Sequence, residues 1–209
     1  MLFKKGISLL AAALALTLAI FEGAYPFNYY TSPPRRWSVS SVDYYINLEG
    51  APEGAEEAIK NAFQTWQNVG GCYISFNYRG LTDAKPETKG TQQGGTPDGK
   101  SVVGWVQMGS DTLGVTSHFY GNTGGSPYEL NEVDIALNAN KPWSTTGDTN
   151  AYDVKSVVLH EVGHLLGLDH SSDTDAVMYG YIGEGELKRS LTQDDIDGAI
   201  YLLTFRNTV

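Results

Sequence analysis

The sequence predicts one α+β domain on a single mixed sheet, in the order strand, helix, four strands, helix, helix. Three observations predict it. The 209 residues, 41% hydrophobic and 18% charged, suffice for one well-buried core and are too few for two. Five short runs rich in β-branched and aromatic residues are bounded by Gly, Pro and polar clusters. Three further stretches show the spacing or the end signals of helices. Strands and helices that do not alternate regularly form an α+β layout.

Taken in order, residues 1–6 carry Lys4 and Lys5, and the uncharged run 7–21 is mostly Leu and Ala. These are the charged and apolar regions of a secretory signal peptide, because about twenty residues are needed to span a bilayer. Residues 1–24 are read as that signal peptide and 25–209 as the exported domain, with an uncleaved membrane anchor as the competing reading. Glu22 leaves the cut ill defined, and a cut nearer Ala19 is the alternative. Removal of 1–24 takes away Lys4, Lys5 and Glu22, so the formal charge of −10 becomes −11.

Residues 26–34, rich in Pro and aromatics, read as an extended arm. Residues 42–48 (VDYYINL) read as the first strand. Ala55, Ala58, Ile59, Ala62, Phe63, Trp66 and Val69 then recur at helical spacing until Gly70 and Gly71 stop the helix. A strand follows at 73–78, and 79–100 is a long aperiodic loop. Residues 102–108, 114–120 and 132–138 are three more strands, the last alternating Val133, Ile135 and Leu137 with polar partners. The glycine-rich stretch 121–128 is a tight irregular loop. Helical spacing returns over 153–168 until Gly167, and Thr192 with Asp195 three residues on opens a last helix over 192–203.

The acidic balance leaves no broad basic surface, which excludes nucleic acid as a partner. The single Cys72 permits no internal disulfide and no four-cysteine zinc module. Beside Tyr73 and Ile74 it reads as a small buried hydrophobe.

Three of the four histidines lie within eleven residues, in HEVGHLLGLDH. On a helix, His160 and His164 stand one above the other and can face one cation. His170 lies ten residues from His160, about 15 Å along a continuous helix, so it must be brought back by a turn. Gly167 can supply that turn in the left-handed conformation. Three neutral imidazoles with a fourth position open make a catalytic zinc site. Zinc lowers the pKa of its water to about 7. Glu161, beside the first ligand, is placed as the general base, and the reaction implied is hydrolysis of a peptide carbonyl.

This eleven-residue pattern is the metzincin signature, completed by a methionine turn that Met178 supplies here. Within the metzincins the chain most resembles the matrixins, the matrix metalloproteinases and their bacterial relatives. Ser171 after the third histidine, the spacing of HSSDTDAVMY and the closing LTQDDIDGAIYLL carry that resemblance, which covers about residues 35–205. Arg36-Trp37 and the helix with Ala62 and Trp66 support it. It implies a twisted five-stranded mixed sheet with three helices, and a cleft bordered by 114–120 where an extended substrate adds as a strand. It also implies Met178 as a packing floor beneath the metal. The function so implied is a secreted, extracellular, monomeric zinc endopeptidase acting on proteins or peptides.

Departures from the family pattern matter too. Only about ten residues separate the signal peptide from Trp37, and Cys72 lies inside the domain, so no cysteine switch is available. Of the residues that hold the family's structural zinc, only His118 matches, with Glu132 in place of another, and no structural zinc is expected. His118 instead reads as a hydrogen-bonding residue at the cleft edge. The glycine loop and Asp134 resemble parts of a calcium site, so Ca2+ is a second candidate cofactor. Tyr179 and Tyr181 are wrongly spaced for a metal-associated tyrosine. Gly180 stands where matrix metalloproteinases usually have proline, a departure from the family in the wall of the main specificity pocket. The reading from a different class is an inactive metzincin-fold module binding an extracellular polymer through Tyr29, Tyr30, Tyr44 and Tyr45.

Overall fold

The structure is a computed structural model that describes residues 26–29, 36–37, 40–70, 74–109, 111–120 and 129–204. Residues 1–24, expected to be a signal peptide, fall outside the described residues, as do Cys72, Tyr30 and the glycine-rich stretch 121–128.

The elements run β1 (Asn28–Tyr29), β2 (Arg36–Trp37), β3 (Ser41–Ile46), α1 (Ala55–Gln67), β4 (Ser75–Leu81), β5 (Ser101–Val106), β6 (Gly114–Tyr120) and β7 (Glu129–Asn138). After these come β8 (Trp143–Ser144), β9 (Tyr152–Asp153), α2 (Val154–Leu166), β10 (Leu168–Asp169) and α3 (Gln193–Thr204). The five expected strands and three helices all form, and the two-residue β2 joins the sheet as a sixth strand. The strands lie in the order β2-β7-β5-β3-β4, with β6 paired to β7. β7 joins parallel and antiparallel halves, since Ile135 pairs with Val103 of β5 in parallel and with Thr116 of β6 antiparallel. β6 therefore forms an edge of the sheet, paired on one side only among the described residues.

α1 forms because its apolar residues fall on one stripe: Ala55, Ile59, Ala62, Phe63 and Trp66 are all buried. They pack with Ile46, Val133, Ile135, Leu137 and the apolar residues of α2 in one core. Tyr44 is buried in that core, its ring stacked on Phe63 with centroids 3.9 Å apart. Tyr29 stacks on Tyr201. Two of the four tyrosines that motivated a binding surface are thus spent on packing within the domain.

β7 departs from the simple alternation expected of a half-buried strand. Its polar partners Glu132, Asp134 and Asn138 are also buried, at 3%, 3% and 0% exposure. Asn138 is enclosed by Met108, Gly109 and Thr112, donating to the Gly109 and Thr112 carbonyls and accepting from the Met108 N–H. For Glu132 and Asp134 the cause is the aperiodic segment 82–100, which folds over the outer face of the sheet. Glu132 accepts the N–H groups of Asp98 (3.2 Å) and Gly99 (2.6 Å), and Asp134 those of Glu87 and Val102 (both 2.8 Å). The loop thus draws its backbone partners from the strand, which a pattern of alternating hydrophobicity cannot reveal. Gly90 sits so close that a Cβ there would stand 2.4 Å from the His118 carbonyl oxygen.

Candidate metal centre and cleft

The helix that carries the first two histidines is fixed at its start, its flank and its end. At the start, Asp153 accepts from the Ser156 N–H (2.8 Å) and hydroxyl (2.6 Å), an N-cap that satisfies one of the helix's free donors. Its carboxylate is buried and is paired with the Arg189 guanidinium, which bonds both oxygens. On the flank, Trp66 Nε1 donates to the Leu159 carbonyl (2.7 Å) and Trp37 Nε1 to that of Leu165 (3.0 Å). At the end, Gly167 takes a φ of +109° and its N–H returns to the His164 carbonyl at 2.9 Å.

That turn delivers His170 as expected. β10 pairs with β1, and Asn28 Nδ2 donates to the His170 carbonyl at 2.8 Å. The ring centroids of His160, His164 and His170 lie 4.5, 5.2 and 5.0 Å apart, and one ligand nitrogen from each falls within 4.8 Å of the others. Among the described residues this is the one cluster of His, Cys, Asp or Glu able to hold a metal ion. His160 Nδ1 lies 2.7 Å from the Val177 carbonyl and His164 Nδ1 2.8 Å from that of Leu168. A carbonyl only accepts, so both Nδ1 atoms carry the proton and both Nε2 atoms are left with a lone pair. Burial lowers His160 to about 4 and His164 well below the usual imidazole range, which keeps both rings neutral, the form that ligates. The donor set, all imidazole with an open side, suits zinc.

Beneath the trio, Met178 is 1% exposed and packs against Gly163. A Cβ at Gly163 would meet Met178 Sδ at 2.2 Å and Trp66 Cζ2 at 3.0 Å, so glycine is what lets the methionine floor close onto the helix. Gly180 plays a like part beside the third histidine, where a Cβ would lie 3.0 Å from His170 Nδ1. Asp195 holds the methionine segment in place: its oxygens accept the N–H groups of Val177 and Met178, both at 3.0 Å. It also accepts from Thr192 N–H (2.8 Å) and hydroxyl (2.9 Å), the anticipated capping pair extended to a second duty.

Glu161 is 4% exposed and lies against β6. Burial raises its carboxyl to about 7, opposed by a hydrogen bond from Thr116. A dication on the trio would pull the value back down. A cavity of about 470 Å³ opens from His160 and Glu161 between apolar walls that include Val115, Val157, Val177 and Ile182, with Tyr152 and Lys188 also at its lining.

The other sequence candidates are placed differently. His118 is buried, and its Nε2 donates to the His164 carbonyl at 2.9 Å, which matches its reading as a hydrogen-bonding residue. Asp134, tied by resemblance to calcium, turns both oxygens to backbone N–H groups, and Glu132 does the same. As arranged, these two carboxylates offer no cation cage. Sequence reasoning missed Thr116, Gly114, Gly163 and the second role of Asp195. The glycine within HEVGH was a visible signal for one of them, while the others depend on contacts between segments distant in the chain.

The Matrixin family profile matches residues 111–204, the stretch that holds the trio, Glu161 and Met178. The chain is 31% identical over 157 residues to metalloendoproteinase 2-MMP of Arabidopsis thaliana, covering 72% of this chain and 37% of that protein. It is 30% identical over 176 residues to interstitial collagenase of Sus scrofa, covering 79% and 33%. With karilysin of Tannerella forsythia it shares 29% over 175 residues, covering 80% and 33%. The chain spans about a third of the length of these curated relatives. Profile, relatives and histidine turn agree that the chain belongs to the matrixins, with the catalytic-domain fold of the metzincins.

Proposed function

We infer that this chain is a secreted zinc-dependent endopeptidase in which His160, His164 and His170 hold the metal and Glu161 is the general base. The observation that carries the reading is the convergence of three imidazoles, two with their Nδ1 atoms tied to carbonyls, beside a buried carboxylate at the open edge of β6. Zinc in such a trio activates water and polarises a carbonyl. The chain's own residues do the rest. The free edge of β6 binds an extended peptide by backbone hydrogen bonds, while the neighbouring cavity receives one side chain and so sets sequence preference. Glu161 takes a proton from the attacking water as the water oxygen bonds to the carbonyl carbon. The same carboxyl then hands that proton to the amide nitrogen as the C–N bond breaks, so the base is restored.

Export rests on residues 1–24 as a signal peptide, and N-terminal sequencing of material recovered outside the cell tests it. The working unit is taken as a monomer acting on protein or peptide substrates. Ca2+ is a subordinate suggestion of the family resemblance: bound at Asp134 it would have to displace two N–H bonds, and a rise in melting temperature on adding Ca2+ to metal-stripped protein would establish it.

The decisive experiment is cleavage of a quenched fluorescent peptide library. Chelator should abolish turnover and zinc restore it, and Glu161→Ala should lose at least about 100-fold in kcat while still binding one zinc per chain. Unchanged turnover in that variant would overturn the mechanism.

A further inference from the structure

Glu161 is held from the side by two residues of β6. Gly114 and Thr116 stand two apart on the strand and so face the same way. A Cβ built on Gly114 would lie 2.5 Å from Glu161 Oε1 and 2.9 Å from its Cδ, so the glycine is what allows the carboxyl group to rest against the strand. Thr116 Oγ1 donates to Glu161 Oε2 at 2.6 Å and also lies 3.0 Å from the Glu161 carbonyl oxygen. A hydroxyl has one proton to give, and the shorter contact to the charged group is the stronger. Among the described residues no other donor reaches this carboxylate.

The hydroxyl belongs to a strand that is itself fixed. Thr116 pairs with Ile135 in the middle of β7, and Ile135 is fully buried. The Oε2 contact therefore ties the side chain of Glu161 to the sheet rather than to another mobile side chain. A glutamate has three rotatable bonds, and a single anchored oxygen removes most of that freedom. With Oε2 so engaged, Oε1 is the oxygen left without a partner.

We propose that Thr116 is a positioning residue, which by binding Oε2 fixes the rotation of the Glu161 carboxyl group and presents Oε1 to the attacking water. This rests on Glu161 as general base. The edge strand thereby gains a second role, since β6 binds the substrate backbone and also aims the base, and the two come into register on one rigid element.

The test uses Thr116→Val, which keeps the β-branched shape and removes the hydroxyl, and Thr116→Ser, which keeps the hydroxyl. Thr116→Val should lower kcat by about 10- to 100-fold, the scale of a misaligned group, with KM within about twofold and zinc content unchanged. Thr116→Ser should return kcat to within about threefold of the parent. A crystal structure of zinc-loaded Thr116→Val should show the Glu161 carboxyl rotated from its place against Gly114 while the three imidazoles stay put. Wild-type kcat in Thr116→Val, a loss expressed only in KM, or an unmoved carboxyl would overturn the proposal. If the parent enzyme has no zinc-dependent peptidase activity, the reading of Glu161 fails, and the crystal structure still decides whether the hydroxyl fixes the carboxyl.

Discussion

Two stretches of irregular chain are pinned to this domain by buried carboxylates, the methionine segment 176–180 by Asp195 and the outer-face segment 82–100 by Glu132 and Asp134. In both, carboxylate oxygens take backbone N–H groups that have no secondary structure to join. The settings differ. Asp195 lies in the first turn of α3, where the helix dipole favours a negative charge. Asp134 lies on a strand next to Glu132, and burial raises its carboxyl to about 7, with Glu132 and Asp98 adding to the rise and the N–H groups of Glu87 and Val102 opposing it. One carboxylate is supported by the element that bears it, and the other is held at a cost. The supported one sits beneath the histidines, where a shift in the backbone would move the Val177 carbonyl that orients His160.

The largest effect should come from breaking the supported pin. Asp195→Ala leaves the buried N–H groups of Val177 and Met178 and the start of α3 without their partner, at about 3 kcal/mol or more. It also frees Val177, so zinc affinity should fall together with stability. Denaturant melts and a competition titration with a chromophoric chelator measure the two. Lost stability with parental zinc affinity would show that the methionine segment does not orient His160.

A smaller effect separates the second pin from the first. Asp134 has a folded pKa raised above its unfolded value, so its contribution to stability is full below about 3.8 and is lost as pH climbs through about 7. The parent melting temperature should therefore fall between pH 5 and pH 8 by more than that of Asp134→Asn. Zinc affinity at pH 7 should stay within about twofold in the variant, because Asp134 touches no residue of the trio. Parallel melting profiles for the two proteins would mean that Asp134 is not held at a cost.

The same contrast explains what the sequence disclosed. The histidine turn was legible because its chemistry sits on eleven consecutive residues, where helical geometry and one glycine dictate the outcome. The element order was legible from periodicity, and α1, β6 and α2 form where spacing placed them. Glu132 and Asp134 were visible only as the polar half of an alternating strand, and their burial follows from a loop more than thirty residues away. Thr116 and Gly114 were likewise ordinary strand residues until Glu161, forty-five and more positions on, was folded against them. Local pattern reports local physics, and contacts closed over long loops leave no mark on it.

The smallest effect concerns what does not hold the outer segment. Lys85 and Glu49 form an ion pair at 3.1 Å between that segment and the turn before α1, but their side chains are 57% and 69% exposed. Water and salt screen such a pair, and holding two long side chains together offsets what attraction remains. Lys85→Ala should leave the unfolding midpoint unchanged within error and should not speed nicking of 82–100 by an added nonspecific protease. Asp134→Ala should speed that nicking severalfold, since Glu87 and Val102 lose their buried acceptor and the segment opens locally. Faster nicking in Lys85→Ala than in Asp134→Ala would transfer the role of pin from the buried carboxylate to the surface pair, and with it the reason that β7 is buried on both faces.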